Sequence, residues 1–223
     1  MINIPKKIVV ISPHPDDETL GAGGLISRFA KEGSEVSILV VSGHLPPIYD
    51  SKVFDISQSE SELAFHLMGV KRSEFLKIPA TMVHLTAISD LNRMISSFIK
   101  KINPEMVLIP FPDRHIDHRT IFDASLVACR PNYDDAPKTV LAYETLSETH
   151  WNAPGIEPVF APDFFVDISQ HIEVKKEALN CYASQINNAP SRSIDASLAL
   201  SRFRGSQNGC IHAEAFKVIR III

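Results

Sequence analysis

The chain has 223 residues, 45% hydrophobic and 22% charged, the balance of an ordinary globular protein with enough length for one well-buried domain. Its net charge of -4 gives no electrostatic footprint for nucleic acid. The basic pairs Lys6-Lys7, Lys100-Lys101 and Lys175-Lys176 are too scattered to form a membrane-binding tract.

In chain order, Lys7 to Ile11 reads as a strand, and the β-branched run Ile8-Val9-Val10-Ile11 marks it as buried on both faces. Ser12-Pro13-His14-Pro15-Asp16-Asp17-Glu18 follows, then a helix from Thr19 to Lys31 that Gly33 stops, with Leu20, Leu25, Ile26 and Phe29 as core positions. Gly21-Ala22-Gly23-Gly24 lies inside that helix and not directly after the strand, as a dinucleotide fingerprint requires, so no such cofactor is expected. Glu35 to Ser42 reads as a second strand and Gly43 to Val53 as a loop. Ser59-Glu60-Ser61-Glu62 has capping-box spacing and predicts a helix through Leu63, Ala64, Leu67 and Met68 to Gly69.

Phe75 to Ile78 is a short strand, and Ile88, Leu91, Ile95, Phe98 and Ile102 mark one face of a helix ending before Pro104. Met106 to Phe111 is another strand, followed by the turn Pro112-Asp113-Arg114-His115-Ile116-Asp117-His118 and a helix from Arg119 to Cys129. Strands alternating with helices predict an α/β fold with a parallel sheet. Beyond residue 130 the rhythm changes. Lys138 to Tyr143 and Phe164 to Ile168 read as strands, Ser169 to Tyr182 as a helix capped by Ser169, and a further helix starts near Ala196; Ala213 to Ile222 has no assignable pattern. No linker divides the chain, so residues 1–223 are expected to form a single domain.

Cys129, Cys181 and Cys210 lie far apart without a CxxC pair, which argues against a disulfide framework or a thiolate zinc site. No apolar run reaches membrane-spanning length and no signal-peptide core follows the N-terminus, so the expected location is cytoplasmic.

Chemistry concentrates in two turns. His14 and three carboxylates sit at a strand's carboxyl end, where ligands collect in open α/β sheets, and crowded negative charge there is costly unless a cation neutralises it. His115 and His118, three residues apart in the second turn, share one face, and His14 and Asp17 repeat that spacing while Asp16 points elsewhere. If the two strands are neighbours, His14, Asp17 and one of His115 or His118 supply three zinc ligands with an open position. The remaining carboxylate and imidazole are then free for proton transfer, which fits metal-assisted hydrolysis of an acyl bond. Two rivals are a magnesium-dependent phosphoryl-transfer enzyme using Asp16-Asp17-Glu18 and a metal-stabilised sugar-binding module. The first lacks a phosphate-cradling loop and has histidines better suited to zinc; the second needs no spare Asp16 and His115.

Pro13-His14-Pro15-Asp16-Asp17-Glu18 together with His115-Ile116-Asp117-His118 resembles the two motifs of the PIG-L/LmbE-like N-deacetylase family. The resemblance runs through Leu67-Met68-Gly69-Val70 and weakens in the C-terminal third, where Ala213-Glu214-Ala215-Phe216 is still similar. It implies a Rossmann-like three-layer sandwich with a mostly parallel central sheet. It also implies a zinc-dependent hydrolase that removes an acetyl or other acyl group from the amide nitrogen of an amino sugar or its conjugate; an amidase on a thiol-sugar or antibiotic conjugate is a close variant. By motif position, His14, Asp17 and His118 are the implied Zn2+ ligands and Asp16 the base that activates the zinc-bound water. His115 is the implied group that polarises the carbonyl, stabilises the oxyanion or protonates the leaving amine, and Asp117 is the implied group that orients His115. Glu18 has no implied role, and a cap of the following helix is its plainest use. The implied partner is a small N-acylated amino sugar, with no nucleic acid and no membrane insertion; a homo-oligomer is compatible with the sequence.

Two departures bear on substrate. Relatives often carry an Arg three residues before the glutamate matched by Glu62, where this chain has Ser59, and many have Gly-Glu after the second strand, where this chain has Gly43-His44. Arg114, Arg192 and Arg204 are candidates for substrate contact, with surface salt bridges or carbonyl caps as the plainer alternative.

Overall fold

The computed structural model describes residues 4–132, 135–186 and 189–222. Five parallel strands, β1 (Lys7–Ser12), β2 (Glu35–Gly43), β3 (Arg72–Pro79), β4 (Met106–Pro110) and β5 (Thr139–Tyr143), carry the apolar runs. The helices α1 (Asp17–Lys31), α2 (Ser51–Met68), α3 (Ile88–Ile102) and α4 (Ile116–Ala128) connect them in turn. After β5 come β6 (Phe164–Asp167), α5 (Ile172–Cys181), α6 (Ile194–Ser206) and β7 (Ala213–Ile221). The seven strands are ordered β3-β2-β1-β4-β5-β7-β6, with β7 antiparallel to both its neighbours.

Alternation along the central strands divides the core into two layers. Ile8 and Val10 pack with Leu25 and Ile26 of α1, Ala64 and Met68 of α2 and Ala178 of α5. Val9 and Ile11 face the other way, onto Leu91, Ile95 and Phe98 of α3 and Ile121 and Ala124 of α4. The result is the expected mostly parallel three-layer α/β sandwich.

Strand order locates the site. From β1 the chain runs outward to β2 and β3, then returns to place β4 on the other side of β1, with Ile8 opposite Met106 and Val10 opposite Leu108. Connections leaving two adjacent parallel strands towards opposite faces open a crevice at the strands' carboxyl ends. The turn after β1 holds His14 to Asp17 and the turn after β4 holds His115 to His118, so the two motifs flank that crevice.

Several local expectations are corrected. The loop after β2 is shorter than predicted, because α2 starts at Ser51 and is capped by Asp50, whose side chain accepts from the Lys52 N–H. Ser59 to Glu62 therefore lies inside the helix and caps nothing. Leu63 and Leu67 face solvent while Ala64, Phe65 and Met68 are buried, and Ile88 is likewise exposed at the start of α3. Ser169 hydrogen-bonds the Asp167 carboxylate instead of capping α5, and Ser193 caps α6 by accepting from the Ala196 N–H. The unassigned stretch near the C-terminus is β7. Its Glu214 is buried, accepting from the Gly24 and Leu25 N–H groups of α1 and from Lys175 Nζ. The glycines of α1 serve packing: a Cβ on Gly24 would meet the Ile168 side chain at 2.7 Å. No helix among the described residues is long and apolar enough to cross a membrane.

Candidate metal centre and active site

The first turn is held from beneath. Glu18 is fully buried; Ser12 Oγ and Thr19 Oγ1 donate to its carboxylate at 2.7 Å and Tyr182 Oη at 2.6 Å. Burial raises its pKa and the three hydroxyls oppose the rise. The Ser12 hydroxyl is also 2.7 Å from the His14 carbonyl. Glu18 is thus a buried anchor tying β1, α1 and the end of α5 to the turn, and not a helix cap.

Asp16 occupies the N-cap position of α1 with φ 104°, a left-handed conformation that costs a non-glycine residue about 1–3 kcal/mol. It separates the two adjacent carboxylates. Asp16 turns to Arg192, whose Nη2 donates to its two oxygens at 2.8 and 3.0 Å, while Asp17 turns to the imidazoles.

Asp17 Oδ2 is 3.1 Å from His14 Nδ1 and 3.2 Å from His118 Nε2. The far nitrogen of each imidazole is held by a carboxylate: His14 Nε2 by Asp117 Oδ2 at 2.9 Å, and His118 Nδ1 by Asp113 Oδ2 at 2.9 Å. Those bonds leave His14 Nδ1 and His118 Nε2 to face each other across Asp17. His118 Nε2 and Asp17 Oδ1 are buried without a hydrogen-bond partner, and buried polar atoms are rarely left so unless an ion or water belongs there.

A metal ion fits this arrangement. In a tetrahedral site with bonds of about 2.0–2.2 Å, donor atoms lie roughly 3.3 Å apart, close to the two spacings about Asp17. Carboxylates that fix the non-ligating nitrogens are the usual outer support of a metal-bound histidine. His115 also brings a ring nitrogen near: His14, His115 and His118 each offer one within 4.8 Å of the others. The structure therefore gathers His14, Asp17, His115 and His118, all expected from the motifs, around one point.

Asp117 departs from expectation. Its carboxylate accepts from His14 Nε2 and from the N–H groups of Thr81 (2.6 Å) and Val83 (3.3 Å), and lies 3.9 Å from His115 Nδ1. It orients His14 more directly than His115. His115 Nδ1 instead accepts the Asp117 backbone N–H at 3.2 Å.

The electrostatics follow from burial among mixed charges. Burial pushes the Asp16 carboxyl up, against the pull of Arg192, to about 7. Burial works against a charged His118, yet the Asp17 and Asp113 carboxylates outweigh it and raise His118 to about 10. Burial similarly opposes a charged His14, which its bonds to Asp117 and Asp17 raise on balance. His115 falls to about 4 through burial and the positive charges of His14 and His118.

His14, Asp17, His115 and His118 floor a cavity of about 180 Å³. Its walls include His44 and Tyr49, edge to face with ring centroids 4.4 Å apart, and Gln185, Thr81, Glu148 and Arg192. Of the three candidate arginines only Arg192 lines it. Arg204 is buried against Glu144 at 2.7 and 2.9 Å, and Arg114 donates to the Trp151 carbonyl at 3.3 Å. Ser59 and Glu62 face solvent on α2; Glu60 accepts from Ser184, the neighbour of Gln185, at 2.9 Å from its N–H and 2.5 Å from its hydroxyl. Sequence reasoning gave no role to Asp113, although it stands beside the second motif, nor to Thr81, Glu148 and Gln185, which nothing local announces.

A model of the family described as "PIG-L: GlcNAc-PI de-N-acetylase" matches residues 9–129, more than half the chain. The chain is 29% identical to a diacetylchitobiose deacetylase of Thermococcus kodakarensis over 82% of its own length and 71% of that protein's. It is 30% identical to an uncharacterized deacetylase, YaiS, of Escherichia coli (strain K12), over 82% of its own length and 93% of that protein's. The solved structure of an N,N'-diacetylchitobiose deacetylase from Pyrococcus horikoshii superposes with a TM-score of 0.78 at 22% identity, covering 96% of this chain and 84% of that one, a likeness of fold.

Proposed function

This chain belongs to the PIG-L family, and from that premise we propose that it is a zinc-dependent N-deacetylase acting on an amino sugar or its conjugate. The observation that carries the reading is the convergence of His14 Nδ1 and His118 Nε2 on Asp17 Oδ2, each ring braced from behind by a carboxylate. His14, Asp17 and His118 would hold the metal. A zinc ion bound there supplies Lewis acidity and lowers the pKa of water to about 7.

The chain's own groups do the rest. Asp16, raised to about 7, is suited to take a proton from attacking water near neutral pH and return it to the departing amine. His115 is neutral at pH 7, and because its Nδ1 accepts the Asp117 N–H, its proton sits on Nε2. It therefore serves as a neutral hydrogen-bond donor to the carbonyl oxygen as negative charge develops there, the role favoured here over proton delivery. Asp117 and Asp113 are positioning residues for His14 and His118. Several imidazoles at one point suit zinc better than magnesium, which weighs against phosphoryl transfer.

The test is release of free amine from a panel of N-acetylated sugars by zinc-loaded protein. Release from an N-acetylhexosamine or a short N-acetylated oligosaccharide is expected; no release from any sugar amide by a chain that binds zinc would contradict the reading.

A further inference from the structure

Arg192 stands in an unusual place for a structural cation. It reaches from the turn before α6 into the cavity that holds the motif residues. Its Nη2 takes both oxygens of Asp16 and lies 3.5 Å from Asp17 Oδ1. Asp16 is left with no solvent exposure and is not part of the cavity wall. A group that must take a proton from water in that cavity is thus covered by the guanidinium.

Among the described residues, the rest of the guanidinium is unspent. Arg192 Nε is buried without a partner, and Nη1 has no hydrogen-bond partner among the described residues. A guanidinium offers five donors in a planar fork, so donors beyond those spent on Asp16 can draw it towards a ligand oxygen entering the cavity. The carboxylates around it decide which oxygen. Asp16 and Asp17 touch it, and the charge of Glu148, also on the cavity wall, acts on it. A phosphate or carboxylate placed there would meet these acids. A neutral hydroxyl can accept from the guanidinium and donate to Glu148.

We infer that Arg192 recognises a neutral ring hydroxyl next to the acetamido-bearing carbon and, by turning towards it, uncovers Asp16. This rests on the deacetylase reading. The substrate class it names is a neutral N-acetylhexosamine unit with its 3-hydroxyl free. A sugar bearing a carboxylate or phosphate at that position is disfavoured. Because uncovering Asp16 belongs to the chemical step, the hydroxyl contributes to kcat as well as to binding.

The experiment compares N-acetylglucosamine, its 3-deoxy analogue and N-acetylmuramic acid, which carries a carboxylate on the 3-oxygen, using zinc-loaded wild type, Arg192→Met and Arg192→Lys. Wild type is expected to favour the intact sugar over the 3-deoxy analogue by about tenfold or more, visible in kcat, because the hydroxyl bonds a charged group. In Arg192→Met the preference falls to near unity, and in Arg192→Lys part of it returns. An undiminished preference in both variants, or N-acetylmuramic acid as the best wild-type substrate, overturns the inference. Zinc content and thermal melting show whether a variant is folded; if Arg192→Met is not, Arg192→Lys alone must weaken the preference. Calorimetric binding of the same sugars to metal-stripped wild type and variants separates the two claims. Wild type that distinguishes the sugars in binding yet releases no amine leaves the recognition standing and overturns the deacetylase reading. Wild type that releases amine but distinguishes the sugars neither in binding nor in kcat overturns the role of Arg192.

Discussion

Two of the buried charge clusters among the described residues meet α1, and they are finished differently. Beneath the helix, Lys175 Nζ donates to Glu214 at 2.6 Å and to the Leu20 carbonyl at 2.8 Å, and Glu214 also receives two backbone N–H groups. Nearby, Glu144 is closed off by Arg204 and His150. Every carboxylate there has its countercharge in the chain. At the crevice, Asp17 Oδ1 and His118 Nε2 have no hydrogen-bond partner, and the cation beside Asp16 lines an open cavity. A buried cluster whose bonds are all complete is architecture; one that leaves members unbonded beside an open cavity awaits something from outside.

The sharpest way to break that contrast is to remove the proposed base. Asp16→Asn should lower turnover about 100- to 10,000-fold while the protein keeps about one zinc per chain. Activity that survives would return Asp16 to the architectural class.

In the completed cluster the consequence should be stability and not chemistry. Lys175→Met strands the buried Glu214 and should cost about 3–5 kcal/mol by denaturant titration. Amine release per folded molecule should be little changed. A large fall in kcat with unchanged stability would erase the distinction.

Between the two lies Asp113, which closes the back of His118. Asp113→Asn should weaken zinc affinity about 10- to 100-fold, measured by competition with a chelating dye, with a smaller effect on fold stability. Unaltered affinity would mean that Asp113 does not support a ligand.

The most gradual effect, about tenfold at each step, follows pH. His118 has a folded pKa of about 10 in the metal-free chain, above its ordinary 6.5. Its protonation therefore stabilises the metal-free fold fully below about pH 6.5 and loses that contribution as pH rises through about 10. Zinc needs the neutral ring, so proton and metal compete. Apparent zinc affinity should rise with pH between 6.5 and 10, by about tenfold per unit for each proton displaced. A flat profile would remove His118 from the ligand set.

Both halves of the site were legible because each is a contiguous turn: His14 to Glu18 and His115 to His118 declare their chemistry within a few residues. Strand and helix alternation put both turns at strand carboxyl ends, but that β4 lies beside β1 is settled only by the strand order. What stayed hidden depends on distance along the chain. Arg192 meets Asp16 across 176 positions, and nothing near Glu148 or Gln185 marks them as cavity wall. The orientation of Asp117 towards His14 and not His115 is set by Thr81 and Val83, whose N–H groups hold its carboxylate. Local patterns also misled where tertiary contacts decide. The box at Ser59 to Glu62 sits mid-helix because Asp50 caps the helix more than two turns earlier, and β7 escaped notice because its pairing partners are β5 and β6, far upstream.

The central claim is the ligand set. A crystal of the zinc-loaded protein, with anomalous data collected on both sides of the zinc edge, tests it most directly. The account predicts a single zinc peak about 2.0–2.2 Å from His14 Nδ1, Asp17 Oδ2 and His118 Nε2, with His115 outside bonding distance. A peak bonded to His115 in place of Asp17, or no zinc at the crevice, would contradict it.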